Sequence, residues 1–287
     1  MKIIPNHQIL DALRCPLCHS AMSLDMKEGG GASLVCAGAR RHCYDMASSG
    51  YVNMAMPGRT DGGDSKEAVR ARRDFLSLEY YAPAAKALAN TVREFSKPGL
   101  VIDAGCGEGY YSAHMAELGY SVAGIDLSRP AVDCAAKRFS RMGLKEGFFG
   151  VGSVYSLPFA DGSASALVNV FAPCSEEEFS RVLRSDGILS VMYAGPEHLM
   201  GLKRAIYDQV HENDGRADLP HELKKVDERR IFFEIQVEGR DALQNLFAMT
   251  PYYWKTSKED GEKLQKLTSL TTTVDMIIGV YQKKSKE

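Results

Sequence analysis

The chain has 287 residues, of which 45% are hydrophobic and 25% are charged, and its formal net charge at pH 7 is −2. That composition is typical of a globular protein and argues against a disordered chain, a coiled coil and a uniformly basic nucleic-acid binder. No apolar run approaches the ~20 residues that span a bilayer, and the amino terminus lacks the pattern of a secretory signal, so we expect a cytoplasmic protein without membrane contact.

Residues 1–56 are rich in cysteine and glycine and show no long helical period, which predicts a small separate module. Cys15 and Cys18 have the C-x2-C spacing of a zinc knuckle, and Cys36 with the adjacent pair His42-Cys43 supplies further ligands. Four filled positions predict a closed, structural zinc site, which would contribute much of the folding free energy of so small a module. Because usually only one of two neighbouring residues points inward, the spacing leaves open whether His42 or Cys43 is the fourth ligand.

The next segment, residues 57–98, is predicted to be a linker followed by two helices. Gly, Pro and Asp are dense from Pro57 to Asp64, which indicates a loop, and Pro83 suits the first turn of the second helix. The stretch from Met1 to Arg73 contains ten Lys or Arg against seven Asp or Glu, which leaves −5 for the remainder. We therefore expect the amino-terminal part to carry the electrostatic share of any RNA binding.

From Gly99 onward short apolar runs alternate with amphipathic stretches, which predicts a parallel sheet with helices on both faces. Ligands of such a sheet bind at the carboxyl ends of its strands. Thr271 to Tyr281 is predicted to be one long, antiparallel last strand. The other predicted strands are Leu100–Asp103, Ser121–Ile125, Phe148–Val151, Ala166–Phe171 and Ile188–Tyr193, and the predicted helices are Tyr110–Leu118, Ser128–Phe139 and Glu176–Leu183.

The first of these strands runs into a glycine turn that opens a helix. Glycines at 105 and 107 let the backbone approach a bound cofactor, because a Cβ there would collide with it. The third glycine comes one residue earlier than in the G-x-G-x-x-G loop of dinucleotide-binding proteins, and Asp103 lies two residues before the first. D-x-G-x-G resembles motif I of the class I S-adenosylmethionine methyltransferases. Asp126, which ends the next strand, is placed to accept both ribose hydroxyls.

Longer blocks extend this resemblance over nearly the whole chain: C-P-L-C, C…H-C-Y-D-M-A-S-S-G-Y-V-N, G-D-S-K-E…A-R-R-D-F-L and D-A-G-C-G-E-G-Y-Y, then L-P-F-A-D-G-S, F-A-P-C, G-P-E-H-L and M-T-P-Y-Y-W. Together they resemble the guanine-N1 methyltransferases that modify a hairpin of large-subunit (23S) ribosomal RNA, a family that includes macrolide-resistance relatives. The H-x-Y-D-x-A…G-Y-V-N and A-R-R-x-F-L blocks are far more specific than motif I.

The resemblance implies an α/β chain with a Rossmann-like, mostly parallel, seven-stranded class I methyltransferase domain at residues 99–287, behind a zinc-binding RNA-recognition module at residues 1–56. It implies S-adenosylmethionine as cofactor, structural zinc on Cys15, Cys18, Cys36 and His42, 23S ribosomal RNA as partner, and it allows a homodimer. Five residues separate Cys36 from His42, which is more than the family usually has, so Cys43 stays an alternative ligand.

Two sets of site residues follow from these motifs and their neighbours. The residues expected to contact the cofactor are Tyr81, Asp103, Gly105, Gly107, Glu108, Tyr110, Asp126, Leu127, Ser153, Val154 and His198. Those expected to contact RNA, by stacking or through phosphates, are Tyr51, Arg72, Arg73, Phe171, Pro173 and Trp254. Packing in the core and a solvated helix face are the alternatives for the aromatic and the basic residues.

Methyl transfer chiefly requires alignment of donor and acceptor, and guanine N1 must also lose a proton. The sequence identifies no general base. Competing functions are a methyltransferase of small molecules, a non-catalytic zinc-dependent RNA-binding protein and a nicotinamide dehydrogenase, which would also use a carboxylate at Asp126. A cytosine-C5 methyltransferase is another alternative, because Pro173-Cys174 matches the Pro-Cys nucleophile of that class.

Overall fold

The computed structural model describes residues 2–56, 63–214 and 220–284. The linker predicted from Pro57 to Asp64 therefore lies mostly outside the described residues. The amino-terminal part contains α1 (His7–Ala12) and a three-stranded antiparallel sheet of β1 (Met22–Met26), β2 (Ala32–Cys36) and β3 (Cys43–Asp45), in the order β1-β2-β3. The Asn6 side chain accepts a hydrogen bond from the Ile9 N–H and so caps α1.

This amino-terminal part shares its core with the rest of the molecule. A short strand, β4 (Val52–Asn53), pairs in parallel with β7 (Phe148–Val151) at one edge of the large sheet. Ile9 and Leu13 are fully buried in one cluster with Leu100 and Ile102 of the central strand. The amino-terminal part, which contains the predicted zinc ligands, is thus held against the larger domain by apolar packing as well as by strand pairing.

Two helices lead into the sheet domain. Ser65 caps α2 (Lys66–Leu76) through its hydroxyl, and Pro83 lies in the first turn of α3 (Ala82–Phe95), as predicted. The fully buried Phe75 of α2 packs in the same core cluster as Leu88 of α3. This packing brings one face of α2 toward the carboxyl edge of the sheet.

Within the described part of the chain the large sheet has eight strands, in the order β10-β11-β9-β8-β5-β6-β7-β4. Its parallel strands are β5 (Leu100–Ala104), β6 (Ser121–Asp126), β7, β8 (Ala164–Val170) and β9 (Leu183–Ala194), which alternate with α4 (Tyr110–Glu117), α5 (Arg129–Arg141) and α6 (Glu176–Val182). The predicted alternation of strands and helices is therefore confirmed. Beyond the seven strands expected of the sheet domain, the eighth is β4.

The carboxyl-terminal part completes the sheet with two long antiparallel strands, β10 (Lys224–Glu238) and β11 (Ser269–Gln282). The helices α7 (Met200–Ile206), α8 (Arg240–Ala248), α9 (Tyr252–Lys255) and α10 (Lys258–Gln265) surround them. β11 is inserted between β9 and β10, so the strand predicted from Thr271 to Tyr281 is antiparallel to both neighbours. Among the described residues no helix is long and apolar enough to cross a bilayer.

Candidate active site and metal centre

One cavity of about 770 Å³ opens at the carboxyl ends of the parallel strands. That volume falls in the range of about 300–1,000 Å³ that is typical of small-molecule and cofactor sites. Gly105–Glu108 after β5, Asp126–Leu127 after β6 and Gly152–Val154 after β7 line one half. Phe171–Pro173 after β8, His198 after β9 and the segment that includes Trp254 line the other.

The glycine loop after β5 has the backbone conformation that its sequence demands. Gly105, Gly107 and Gly109 have φ values of +84°, +52° and +78°, which residues with a side chain rarely adopt. A Cβ at Gly105 would collide with the Cβ of Ala172. The N–H groups of Gly105 and Cys106 both donate to the Ile125 carbonyl, at 2.8 and 3.1 Å, which ties the loop to β6.

Two predicted carboxylates have different surroundings. Asp126 lines the cavity and accepts hydrogen bonds from the N–H groups of Gly107 (2.9 Å) and Ser128 (2.8 Å), while burial raises its pKa. Asp103 is fully buried below the loop and accepts from the Ser112 hydroxyl. Burial raises the pKa of Asp103 to about 7. Asp103 therefore supports the loop from beneath and does not line the cavity.

Most of the other residues predicted to contact the cofactor line the cavity, but one does not. Tyr81, Glu108, Leu127, Ser153 and Val154 line the cavity. Tyr110 does not: its hydroxyl donates to Glu79 at 3.3 Å, and the neighbouring Tyr111 lines the cavity instead. The helical start at Tyr110 turns these two adjacent side chains in different directions.

The half of the cavity beside β8 and β9 is aromatic. Phe171 has a left-handed backbone (φ +50°) and is 49% exposed, and its ring stacks on His198 with centroids 5.7 Å apart. His198 is buried, and its Nδ1 accepts the N–H of Asp275 at 3.3 Å, which assigns the ring proton to Nε2. Burial lowers the pKa of His198 to about 4, so the ring is neutral at pH 7.

The loop that carries His198 is held by two residues that lie outside the sequence motifs, Asn213 and Asp275. Asn213 Nδ2 donates to the carbonyls of Gly195 (3.1 Å) and His198 (2.9 Å), and its Oδ1 accepts from Tyr252 (2.8 Å). Asp275 accepts from the Glu197 N–H at 2.8 Å. Asp275 is a buried carboxylate within an apolar strand, which is a usable sequence signal, whereas nothing in the sequence marks Asn213.

The residues predicted to contact RNA occupy several environments. Trp254 (72% exposed) and Pro173 line the cavity with Phe171, whereas Tyr51 is buried and its hydroxyl accepts from Arg129 at 2.6 Å. Arg73 donates to Asp74 at 2.6 Å, on the side of α2 that packs toward α5. Arg72 lines the cavity and forms an ion pair with Asp64. Its guanidinium therefore faces the cavity and not the outer surface of α2.

Cys15, Cys18, Cys36 and His42 come together in the amino-terminal part, with all four ligand atoms within 4.8 Å of one another. The Cys18 and Cys36 sulfurs are 3.7 Å apart, and His42 Nδ1 lies 3.4 Å from Cys15 Sγ and 3.6 Å from Cys36 Sγ. A tetrahedral zinc with bonds of about 2.0–2.3 Å requires ligand separations of roughly 3.3–3.8 Å. The donor set therefore fits zinc. Cys43 is exposed and stands outside the cluster.

Groups around the cluster also suit a bound metal. The His42 N–H donates to the Cys36 sulfur at 3.1 Å, and the Tyr44 hydroxyl lies 3.3 Å from the Cys15 sulfur. Such contacts stabilise thiolates and orient them around a metal. Arg41, which precedes His42, has a left-handed backbone (φ +44°), and its N–H donates to the Gly38 carbonyl at 2.8 Å, which forms a turn between Cys36 and His42.

Comparison with known proteins agrees with this architecture. Residues 101–187 match the family model described as a methyltransferase domain. A solved structure from Anaeromyxobacter dehalogenans, provisionally named a type II methyltransferase, superposes on this chain with a TM-score of 0.51. The two sequences are 17% identical, and the match covers 69% of this chain and 95% of that one. The predicted class I fold is confirmed.

Two relatives that match over most of their length narrow the assignment. The 23S rRNA (guanine(748)-N(1))-methyltransferase of Streptomyces fradiae is 30% identical over 86% of this chain and 88% of its own. A protein of Micromonospora griseorubida with the provisional name 23S rRNA (guanine-N(1)-)-methyltransferase is 35% identical over 68% of this chain and 69% of its own. These matches include the motif I loop and extend far beyond it, and the chain belongs to the family of 23S rRNA (guanine-N1)-methyltransferases.

Proposed function

We propose that this protein transfers the methyl group of S-adenosylmethionine to N1 of a guanine in a hairpin of 23S ribosomal RNA. The observation that carries the proposal is the match to the Streptomyces fradiae enzyme over 88% of that enzyme's length. The relatives from Streptomyces fradiae and Micromonospora griseorubida favour this function over a small-molecule methyltransferase and over a non-catalytic RNA-binding protein. Because ribosomal RNA is its substrate, we place the protein in the cytoplasm.

The cofactor half of the cavity suits S-adenosylmethionine. Asp126 presents a carboxylate to the ribose hydroxyls, and the left-handed glycines at 105 and 107 keep side chains out of the space beside it. When bound, the cofactor supplies a methyl group carried on a positively charged sulfur. Guanine N1 would attack the methyl carbon from the side opposite the sulfur. The protein's main task is then to orient both reactants and to exclude water.

The aromatic half of the cavity suits the acceptor base. A guanine must leave its stack to enter a cavity at the end of a sheet, and aromatic faces compensate for the lost stacking. Phe171 and Trp254 both line this half and are both substantially exposed. His198 lies beside Phe171 as a neutral ring with its proton on Nε2, so it offers a hydrogen-bond donor without a charge.

For the metal centre, we propose one structural zinc ion on Cys15, Cys18, Cys36 and His42. Four protein ligands leave no position for a water, so the ion stabilises loops and takes no part in the transfer. The loop from Cys36 to His42 carries the exposed Arg40 and Arg41, which are suited to contact phosphates. Residues 1–56 would thus act as the RNA-recognition module. The resemblance also allows a homodimer, which light scattering would test.

The deciding experiment is mass-spectrometric mapping of 1-methylguanosine in 23S ribosomal RNA from a deletion strain and its complements. We expect one mark to disappear on deletion, to return with the wild-type gene and to stay absent with an Asp126→Ala copy. Loss of the mark with the variant would follow from loss of the ribose contact. An unchanged guanine profile in the deletion strain would remove the ribosomal assignment.

A further inference from the structure

Asn169 lies on β8, beside the point where the order of the parallel strands reverses. From β5 the chain proceeds to β6 and β7 on one side, whereas β8 and β9 lie on the other side. The loops that follow β5 and β8 therefore diverge and open the crevice in which ligands of such sheets bind. The loop after β5 carries the left-handed glycines, and the turn after β8 carries Phe171–Pro173.

The Asn169 side chain joins these two loops. Its Nδ2 atom donates to the Ala104 carbonyl at 2.9 Å and to the Pro173 carbonyl at 3.1 Å, and the residue is fully buried. Both partners can only accept, so the amide must present its NH2 group to them, with one N–H for each. A single side chain thus ties the last residue of β5 to the turn after β8.

Backbone pairing does not supply this connection. In the described part of the chain, the register between β5 and β8 ends with Asp103 opposite Val168, one residue before Ala104. Beyond that pair, the Asn169 amide takes the place of a main-chain donor from β8. The two strands are therefore held together up to the edge of the cavity.

The two loops that Asn169 joins also touch each other. A Cβ on Gly105 would collide with the Cβ of Ala172. The left-handed backbone of Phe171 (φ +50°) persists only if the surrounding contacts fix it, and the bond from Asn169 to Pro173 spans this turn. A shift of the turn would move the acceptor half of the cavity relative to the cofactor half.

We propose that Asn169 is a positioning residue for methyl transfer, which fixes the turn in the acceptor half of the cavity against the glycine loop in the cofactor half. Among the described residues Asn169 does not line the cavity, so it acts through the residues that do. Transfer is sensitive to alignment, and a displacement of about 1 Å can cost about 100-fold in rate. The inference rests on the proposed function, because it presumes that a methyl group passes between the two halves.

Ser165 offers a matched control on the same strand. Its hydroxyl donates to the Leu100 carbonyl at 2.9 Å, and it is also buried. Ser165 and Asn169 thus each bond from β8 to a β5 carbonyl, at equal separations of 65 residues along the chain. Leu100 begins β5 and Ala104 ends it, so the Ser165 bond lies at the end of the strands away from the cavity.

The test measures single-turnover methylation of a 23S hairpin by the full chain, with cofactor and RNA both saturating. Asn169→Ala should lower the rate by roughly 10- to 100-fold, because alignment of the reactants is lost. Its affinities for the hairpin and for S-adenosylhomocysteine, the product of the cofactor, should stay within about threefold of wild type. Ser165→Ala should keep the rate within about twofold, although both variants lose a buried hydrogen bond and should unfold at lower urea concentrations than wild type.

Asn169→Asp separates alignment from packing. It keeps the shape of the side chain but, when ionised, has no donor for the two carbonyls, so it should lose rate as alanine does. Rates of both Asn169 variants close to that of Ser165→Ala would overturn the positioning role while the proposed function stood. Loss of S-adenosylhomocysteine binding in both variants would also overturn it, since Asn169 would then only maintain the cofactor site. If the unmodified protein did not methylate the hairpin, the proposed function would fail, and this inference with it.

Discussion

Phe171 combines a strained backbone with an exposed ring, two features that cost stability and that therefore point to function. A left-handed φ in a residue with a bulky side chain costs of the order of 1–3 kcal/mol. The residue is about half exposed, and its ring stacks on His198. The turn after β8 thus presents an aromatic face to the half of the cavity where we propose that the acceptor base binds.

Replacement of this ring should affect RNA and leave the cofactor alone. Phe171→Ala is expected to raise KM for 23S ribosomal RNA by roughly 10- to 100-fold, because stacking on one base contributes about 1–3 kcal/mol. Affinity for S-adenosylhomocysteine, measured by calorimetry, should stay within about twofold. Phe171→Tyr, which keeps the face, should remain close to wild type; a loss as large as that of alanine would argue against stacking.

Burial of His198 predicts a dependence of stability on pH. Its pKa is about 4 in the folded protein against an ordinary value of 6.5 in the unfolded chain, so between these values only the unfolded chain binds the proton. Its contribution to the free energy of unfolding is complete above pH 6.5 and is lost as pH falls toward 4. Between pH 7 and pH 5 the loss should be about 2 kcal/mol.

The measurement compares urea unfolding of wild type and His198→Gln at pH 7 and pH 5. Wild type alone is insufficient, because the raised pKa of Asp103 stabilises the folded protein as pH falls and opposes the effect of His198. Asp103 is the same in both proteins, so the stability gap between them isolates His198. The gap should narrow by about 2 kcal/mol at pH 5, and a constant gap would show that His198 titrates normally.

Individual elements follow from the sequence to different degrees. Phe148–Val151 is predicted with the bounds that the structure shows, because the run is too short for a helix and glycines flank it on both sides. β10 is not predicted, since it lies at the edge of the sheet and its charged residues interrupt the apolar alternation. The glycine loop is predictable because the backbone itself demands those residues, whereas the orientation of Arg72 depends on how α2 packs.

The amino-terminal hairpins offer a sharp test of the metal centre. Cys36→Ser and His42→Ala should each lose bound zinc, because each removes one of the four clustered ligands. Cys43→Ser is the matched control, since Cys43 is adjacent to His42 but exposed and outside the cluster. Inductively coupled plasma mass spectrometry of the purified proteins should find about one zinc ion per chain in wild type and in Cys43→Ser. Loss of zinc from Cys43→Ser would reassign the fourth ligand.

For the molecule as a whole, charge distribution matters more than net charge. The chain carries a formal −2, yet its amino-terminal residues are net positive, and Arg40 and Arg41 are exposed beside the cysteine cluster. Anionic RNA is therefore expected to approach this end of the molecule and the mouth of the cavity. That arrangement lets a protein without overall positive charge bind a polyanion.

Salt dependence of RNA binding measures this contribution. Exchange of both Arg40 and Arg41 for alanine should weaken binding of a 23S hairpin and reduce the slope of log K against log salt concentration by about 1 to 2. Lys97→Ala is the control, since Lys97 is exposed, pairs with Asp186 and precedes β5, at the opposite edge of the sheet from the cavity. An equal effect of Lys97→Ala would indicate non-specific attraction.

The position of β11 has a consequence for synthesis of the protein. This strand, which follows β10 in the chain, is inserted between β9 and β10, and its Asp275 holds the loop that carries His198. While the chain is being translated, β9 has no neighbour on that side, and the half-built sheet exposes an unpaired edge. The cavity therefore reaches its final form only after β11 has emerged from the ribosome, because the loop that carries His198 lacks its contacts with Asp275 until then.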